Sequence, residues 1–480
     1  MSKTLKEKTV HSVVWSFLDK FGQQGLSFIV WIILLRYFLS PEEYGLFALI
    51  AIFNALGYVL IDSGFSNALI RKQDVTQTDL SSVFYFNVVL SVLIYLMIFF
   101  CAPLIATFYK QPVLVSLVRV TALSIPLNSL ILTHITLLSK AIDFKRLAIS
   151  NTSALFCSGS LSLFLAWQGF GVWVLVIQPL SYTFVRIICL WSVCSWRPKA
   201  VFSMQSIKNL WGYSSKLLAS SLLTVIFNNI YANLIGVFYP LKQVGYFSQA
   251  NKISELSYIT IIPAIHTPLY SSMAKIADDP ERLKNAFRKT IRVAAFVFLP
   301  VMMGLITIAE PLIKTVVGLK WLPIVPYLQV LCVGYIFIGM AAVYGNVLYI
   351  KGASSKLLKF NIFYRSLLLT GVLLTASIGV LSIVICWSAA GIIYAISFAL
   401  YAGKQIQYTV IEQIKDILPY FILALLMGIG VFLLSFFIHN SLILVSTQII
   451  TGASFYLGAT YLLGSKIFRE VVEILKRKLG

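Results

Sequence analysis

Charged side chains are scarce in this chain: Asp, Glu, Lys and Arg make up 11% of 480 residues, whereas 59% are hydrophobic. That shortage excludes a water-soluble globule, because no folded core of this length hides so much apolar side chain. Histidine is rarer still, with four scattered residues, which argues against a metal centre. The six cysteines (Cys101, Cys157, Cys189, Cys194, Cys332 and Cys386) form no CxxC pair and fall within or at the ends of apolar runs. They read as small packed or lipid-facing hydrophobes. There is no GxxxxGK[ST] run, so the chain carries no phosphate-cradling loop for an ATPase of its own. The first apolar run is full length and interrupted by charge, unlike the core of a cleavable signal peptide.

What is present is about fourteen apolar runs, near 12–36, 45–68, 82–107, 113–137, 147–167, 171–193, 212–238, 245–270, 291–312, 325–350, 357–378, 381–402, 417–438 and 441–464. A bilayer core ~30 Å thick takes ~20 apolar residues per helix. Backbone groups in lipid must pair within their own segment, so the runs predict helices and an all-α polytopic membrane protein. Acidic residues number 17 against 38 Lys and Arg, a net charge of +21. With a cytoplasmic N-terminus and one crossing per run, the outer loops hold only Lys110, Lys242, Lys314 and Lys320. That asymmetry is the positive-inside pattern, which explains the charge without nucleic acid and predicts that both termini are cytoplasmic. The outer loops are too short for a folded domain or a spread-out catalytic site.

The chain also repeats itself. Phe38-Leu39-Ser40-Pro41-Glu42-Glu43-Tyr44-Gly45-Leu46-Phe47 returns as Phe238-Tyr239-Pro240-Leu241-Lys242-Gln243-Val244-Gly245-Tyr246-Phe247, matching at Phe38, Gly45 and Phe47 with an offset of 200. Each copy is the first outer turn of its half, so the repeat is parallel, with its axis along the membrane normal. Two six-helix lobes around a central cavity follow: residues 1–195 and 211–402, joined by a cytoplasmic linker at 196–210 that Pro198 breaks. Residues 403–464 add a C-terminal hairpin and 465–480 a cytoplasmic amphipathic tail (Phe468, Val471, Val472, Leu475, Leu479). A second amphipathic helix on the inner leaflet is expected from Asp279-Pro280, with Leu283, Ala286, Phe287 and Ile291 on its apolar face.

Polar residues inside the runs need a reason, since a charge near the bilayer centre costs several kcal/mol. The first run carries Ser16, Asp19, Lys20, Gln23, Gln24 and Ser27 at helical spacing; the second carries Asn54, Tyr58 and Asp62. Arg119 opens the fourth. Gln178, Tyr182 and Arg186 stripe the sixth, and Asn228, Asn229 and Asn233 the seventh. Gln249, Asn251, Lys252 and Glu255 lie on the eighth, with Asn361 and Arg365 on the eleventh. Ion pairs that glue helices, snorkelling arginines and interhelical amide bonds are the plain alternatives, and His134 and His266 read as packed. The stripes nevertheless point to a wet cavity whose fixed charge leans positive and suits an anion.

The chain resembles the polysaccharide-transporter (Wzx-type) flippases of the multidrug/oligosaccharidyl-lipid/polysaccharide superfamily, in particular exporters for colanic acid, teichuronic acid and lipopolysaccharide units. The resemblance rests on Trp15-Ser16-Phe17-Leu18-Asp19-Lys20-Phe21-Gly22-Gln23-Gln24-Gly25, Leu39-Ser40-Pro41-Glu42-Glu43-Tyr44-Gly45, Ala68-Leu69-Ile70-Arg71-Lys72, Asp143-Phe144-Lys145, Val244-Gly245-Tyr246-Phe247-Ser248-Gln249-Ala250, Asp278-Asp279-Pro280-Glu281-Arg282-Leu283 and Gly318-Leu319-Lys320-Trp321. It implies a V-shaped pair of lobes in the bacterial cytoplasmic membrane, carrying undecaprenyl-pyrophosphate-linked oligosaccharide repeat units outward by alternating access. Of the site residues it carries over only Asp19-Lys20.

Taken with the stripes, Lys20, Arg119, Arg186, Lys252 and Arg365 are the expected pyrophosphate partners. Gln23, Gln24, Asn228 and Gln249 are expected at sugar hydroxyls, and Asp19, Asp62 and Glu255 are candidates for ion coupling. No cofactor or metal is expected; coupling is to H⁺, to Na⁺ or to the membrane potential alone. Partners are the lipid-linked substrate, membrane lipids and a glycan polymerase with its chain-length machinery, around a monomer. Competing readings are an ion-coupled multidrug exporter of the same superfamily and a polytopic glycan polymerase or ligase.

Overall fold

The computed structural model describes Trp15 and residues 22–62, 64–465 and 467–470, with the side chains of 266–271, 274 and 354 outside that description. Asp19 and Lys20, and the tail beyond 470, therefore lie outside the described residues. Those described are helical or in turns, with no strand among them. In chain order the helices are α1 (22–33, ending in a π turn at Leu34–Phe38), α2 (Pro41–Asp62), α3 (Phe65–Arg71), α4 (Gln77–Phe108) and α5 (Leu114–Ala122). They continue with α6 (Ser124–Lys140), α7 (Phe144–Trp167), α8 (Trp173–Val193), α9 (Met204–Phe238), α10 (Leu241–Ala274) and α11 (Pro280–Leu312). The last are α12 (Val325–Ile350), α13 (Ser354–Thr375), α14 (Val380–Gln405), α15 (Val410–Leu433) and α16 (Ser441–Leu462).

Among the described residues, 12 helices are long and apolar enough to cross a membrane. Of the fourteen expected runs, the first is described at Trp15 and over 22–36, where it forms α1 and its π turn, and its other positions lie outside the described residues. The eighth forms the 34-residue α10, but Gln249, Asn251, Lys252, Ser254 and Glu255 leave it less apolar than the others. One expectation is corrected outright. Asp279 does cap a helix, accepting from the Arg282 N–H at 3.0 Å with Pro280 in the first turn. That helix, however, is the start of the 33-residue α11 and not a separate surface helix. Leu283, Phe287 and Ile291 are fully buried, and the Phe287 ring lies 5.4 Å from Tyr344 and 6.1 Å from Tyr408. The apolar stripe thus faces protein, because its partners sit on α12 and in the turn after α14.

By packing, the chain divides into two units, Met1–Gly245 and Tyr246–Gly480. In the first, α2 runs against α9, α4, α5 and α6, while α7 pairs with α8. The two copies of the repeated turn meet here. A Cβ on Gly45 would fall on the backbone carbonyl of Leu241, and a Cβ on Gly245 on the carbonyl of Pro41. Pro41 and Leu241 are themselves 200 residues apart, so the contact is reciprocal. Glycine at both points lets backbone touch backbone.

The non-helical segment 194–203 is strapped to the start of α4. The Trp196 Nε1–H donates to Gln77 Oε1 (2.7 Å) and the Gln77 amide donates to the Arg197 carbonyl (2.9 Å). The Lys199 and Ser203 N–H groups donate to Ser81 Oγ (3.1 Å) and Ser82 Oγ (2.8 Å). His134 is buried against Trp191 and Trp196, with ring centroids at 4.9 and 5.2 Å. Thr76 and Asp79 form a capping box at the same helix end, and Lys72 Nζ sits 2.6 Å from Asp79. Thr76→Ala is expected to lower stability by about 1 kcal/mol, the usual worth of an N-cap. Asp79→Ala should cost more, since Lys72 then loses its partner too. Thermal unfolding of the two purified variants checks that order.

In the second unit α12 packs on α14 and α11, α13 packs on α14, and the hairpin α15–α16 lies along α11. The hairpin is held by charge. Asp416, on the first turns of α15, accepts from Arg288 Nε (2.7 Å) and Arg292 Nε (2.9 Å), and from the Tyr408 hydroxyl (2.8 Å). Glu412 pairs with Lys284 at 2.9 Å.

Candidate functional site

Each unit holds its own group of polar side chains among apolar helices. In the first unit it is built on α2, α6 and α8. The Asn128 amide donates to Thr183 Oγ1 (3.0 Å), to the Tyr58 hydroxyl (3.3 Å) and to the Ser124 carbonyl (2.8 Å). Thr183 donates in turn to the Pro179 carbonyl at 2.9 Å. Arg186, one turn along α8, lies with its guanidinium 5.3 Å from the Tyr182 ring and within electrostatic reach of Tyr58. Its Nε–H is buried with no hydrogen-bond partner among the described residues, and one turn before Tyr58 the Asn54 carbonyl oxygen is also buried and unbonded. A buried donor left unpaired costs about 1–3 kcal/mol, more when charged. An anion placed here relieves that cost.

The other residues expected in this half are placed differently. Gln23 is half-buried and Gln24 exposed on α1. Asp62 ends α2 and accepts from Ser66 Oγ, which spans the break into α3. Asn228 is exposed on α9, while Asn233 is buried and accepts from the Tyr109 hydroxyl at 2.8 Å. Arg119 is turned against α4, with its guanidinium 4.1 Å from the Phe99 ring and its Nε–H on the Phe99 carbonyl at 3.3 Å.

In the second unit the group is tyrosine-rich. The Tyr335 hydroxyl donates to Asn251 (3.0 Å) and the Tyr394 hydroxyl to Asn361 (3.1 Å). Tyr258 lies 5.5 Å from Tyr335, Trp387 lies 4.9 Å from Tyr335, and Tyr364 lies 4.4 Å from Tyr394. Glu255 is within electrostatic reach of Tyr258 and Tyr335, and Arg365 of Tyr394. Asn251, Glu255 and Arg365, picked out by spacing, thus come to one neighbourhood. Lys252 is exposed on α10, and Gln249 is buried beside Ser248.

Asn128 and Thr183 are absent from the stripes above: Thr183 stands beside Tyr182 and one turn before Arg186, and Asn128 one turn after Ser124, but a serine or threonine hydroxyl is a weak signal inside an apolar run. The aromatic members had a usable signal: Tyr258 continues the face of Asn251 and Glu255, and Tyr394 lies two turns beyond Trp387. Among the described residues no group of His, Cys, Asp and Glu could hold a metal ion.

Residues 33–326 match the family described as "Polysaccharide biosynthesis protein". The succinoglycan biosynthesis transport protein ExoT of Rhizobium meliloti is 28% identical over 67% of this chain; the match spans 65% of that relative, just under two thirds. The lipopolysaccharide biosynthesis protein WzxC of Escherichia coli is 23% identical over 88% of this chain and 82% of its own length. In fold, the chain is similar to a lipid II flippase, MurJ, in an inward closed conformation. The TM-score is 0.76 and the identity 18%, over 96% of this chain and 100% of that one.

Proposed function

The chain belongs to the polysaccharide biosynthesis protein family, and on that premise we propose that it flips lipid-linked oligosaccharide repeat units across the bacterial cytoplasmic membrane by alternating access. As a multi-pass transporter of this family it is not an enzyme. The cargo is a polyprenyl pyrophosphate bearing sugars, taken up at the cytoplasmic leaflet. Such a head group does not cross hydrocarbon unaided, because each unsatisfied polar group costs several kcal/mol there.

The observation that carries the reading is Arg186, a cation within an apolar helix whose buried Nε–H has no partner among the described residues. It supplies a charge-assisted hydrogen bond to a phosphate oxygen. The hydroxyls and amides around Tyr258, Tyr335 and Asn361 supply the donors and acceptors that sugar hydroxyls require. The basic loops support a reading with both termini in the cytoplasm.

The test is a strain lacking the gene, in which lipid-linked repeat units are quantified by leaflet. The deletion should accumulate them on the inner leaflet, and the wild-type chain should clear them. Arg186→Ala should slow clearance about 10- to 100-fold, from the loss of one charged hydrogen bond of about 1.5–3 kcal/mol. Full rescue by Arg186→Ala removes that residue from the site. A deletion with no inner-leaflet accumulation removes the flippase.

A further inference from the structure

Arg119 stands apart from the polar group of its own unit, in a cleft between α4 and α5. The cleft encloses about 470 Å³ and is lined by Tyr95, Phe99, Pro112, Ser116, Arg119 and Leu123, among others. It opens beside a face of α4 that is wholly apolar and exposed: Val92, Leu96 and Phe100, the last 72% exposed. Such a face belongs against lipid chains. Arg119 lies five residues into α5, about 7 Å along its axis from the α4–α5 turn, a depth consistent with the head-group boundary. A free arginine at that depth snorkels into water. This one is fixed instead by the Phe99 ring and the Phe99 carbonyl, which use one face of the guanidinium and its Nε–H. Its terminal nitrogens and the Tyr95 hydroxyl have no hydrogen-bond partner among the described residues.

We propose that this cleft is a lipid site, distinct from the transport path, that binds the phosphate of an anionic glycerophospholipid. The charge balance selects that occupant. One fixed cation matches the single charge of a phosphodiester, and Tyr95 adds a neutral donor. The acyl chains then lie along Val92, Leu96 and Phe100. A sugar-bearing pyrophosphate is a poorer match, because the cleft offers it one cation and almost no further polar groups. The phosphate takes the two free Nη donors in the fork geometry that arginine favours.

The experiment is native mass spectrometry of the full chain in detergent, titrated with phosphatidylglycerol, phosphatidylcholine or a polyprenyl pyrophosphate. The wild type should bind phosphatidylglycerol about tenfold more tightly than phosphatidylcholine. Arg119→Gln should erase that preference, and Arg186→Gln should keep it. Ser116→Trp, a change at an exposed position that fills the cleft and leaves Arg119 in place, should erase it as well. A preference that survives both Arg119→Gln and Ser116→Trp overturns the site. Displacement of phosphatidylglycerol by an equimolar polyprenyl pyrophosphate, lost in Arg119→Gln, overturns its occupant and returns Arg119 to the cargo.

Discussion

Gly45→Ala and Gly245→Ala should each abolish accumulation of folded protein, although alanine is the better helix former by about 1 kcal/mol. The sign is set by space. A methyl at either position meets a backbone carbonyl oxygen closer than any real Cβ approaches, and no side chain can rotate away to make room. Overfilling a packed site ordinarily costs about 1–3 kcal/mol when side chains can shift. Here the backbones of α2 and α10 must separate, so the cost exceeds that range. Gly458→Ala is the control, since α16 offers its Cβ open space. It should leave yield and unfolding temperature unchanged or slightly raised. The readout is the monodisperse fraction after detergent extraction, and wild-type behaviour of both Gly45→Ala and Gly245→Ala contradicts the crossing.

The second large effect is expected at Asp416, which is 5% exposed and accepts from Arg288, Arg292 and Tyr408. Asp416→Ala leaves two arginines facing each other in a half-buried site. Removing one member of a buried ionic group typically costs about 3–5 kcal/mol, much of it from the stranded charge. The hairpin α15–α16 should loosen from α11 first, seen as faster hydrogen exchange in 410–462 than elsewhere. A triple variant, Asp416→Leu with Arg288→Met and Arg292→Met, should recover most of the loss, because no charge is then left without a partner. A triple variant as unstable as Asp416→Ala indicates that packing, and not charge, holds the hairpin.

Hydropathy located the spanning helices because a membrane imposes one demand on every span, a full run of apolar residues. It did not place the break at Gly64, where φ is +74°, since Ile61 and Phe65 on either side are equally apolar and buried. Nor did it show that the helix starting at Pro280 runs on unbroken into the ninth span. Its basic first turns read as a surface helix, and only the partners of Phe287 show that they are packed. The Gly45–Gly245 match was faint as sequence and becomes a contact in the structure. Of the candidate site, Arg186, Asn251 and Glu255 stand out in the sequence because each belongs to a polar stripe. Arg119 was legible as a charge but not in its direction, which depends on Phe99 from another helix. Asn128 and Thr183 fall at helical spacing from Ser124 and Arg186, but a serine or threonine hydroxyl is too common in apolar spans to mark a stripe.

The strap over the start of α4 sets an order of events during synthesis. Its partners, Gln77, Ser81 and Ser82, precede it by 118–121 residues. At ~5–20 residues per second, the ribosome reaches the strap about 6–24 s after it has made the helix end that the strap covers. Through that interval, while the stretch encoding α5 to α8 is being made, the hydroxyls of Ser81 and Ser82 wait for donors not yet translated. The arrival of 194–203 therefore marks the moment at which the start of α4 can be covered, before α9 is made to pack on α2, and a pause there would prolong its exposure.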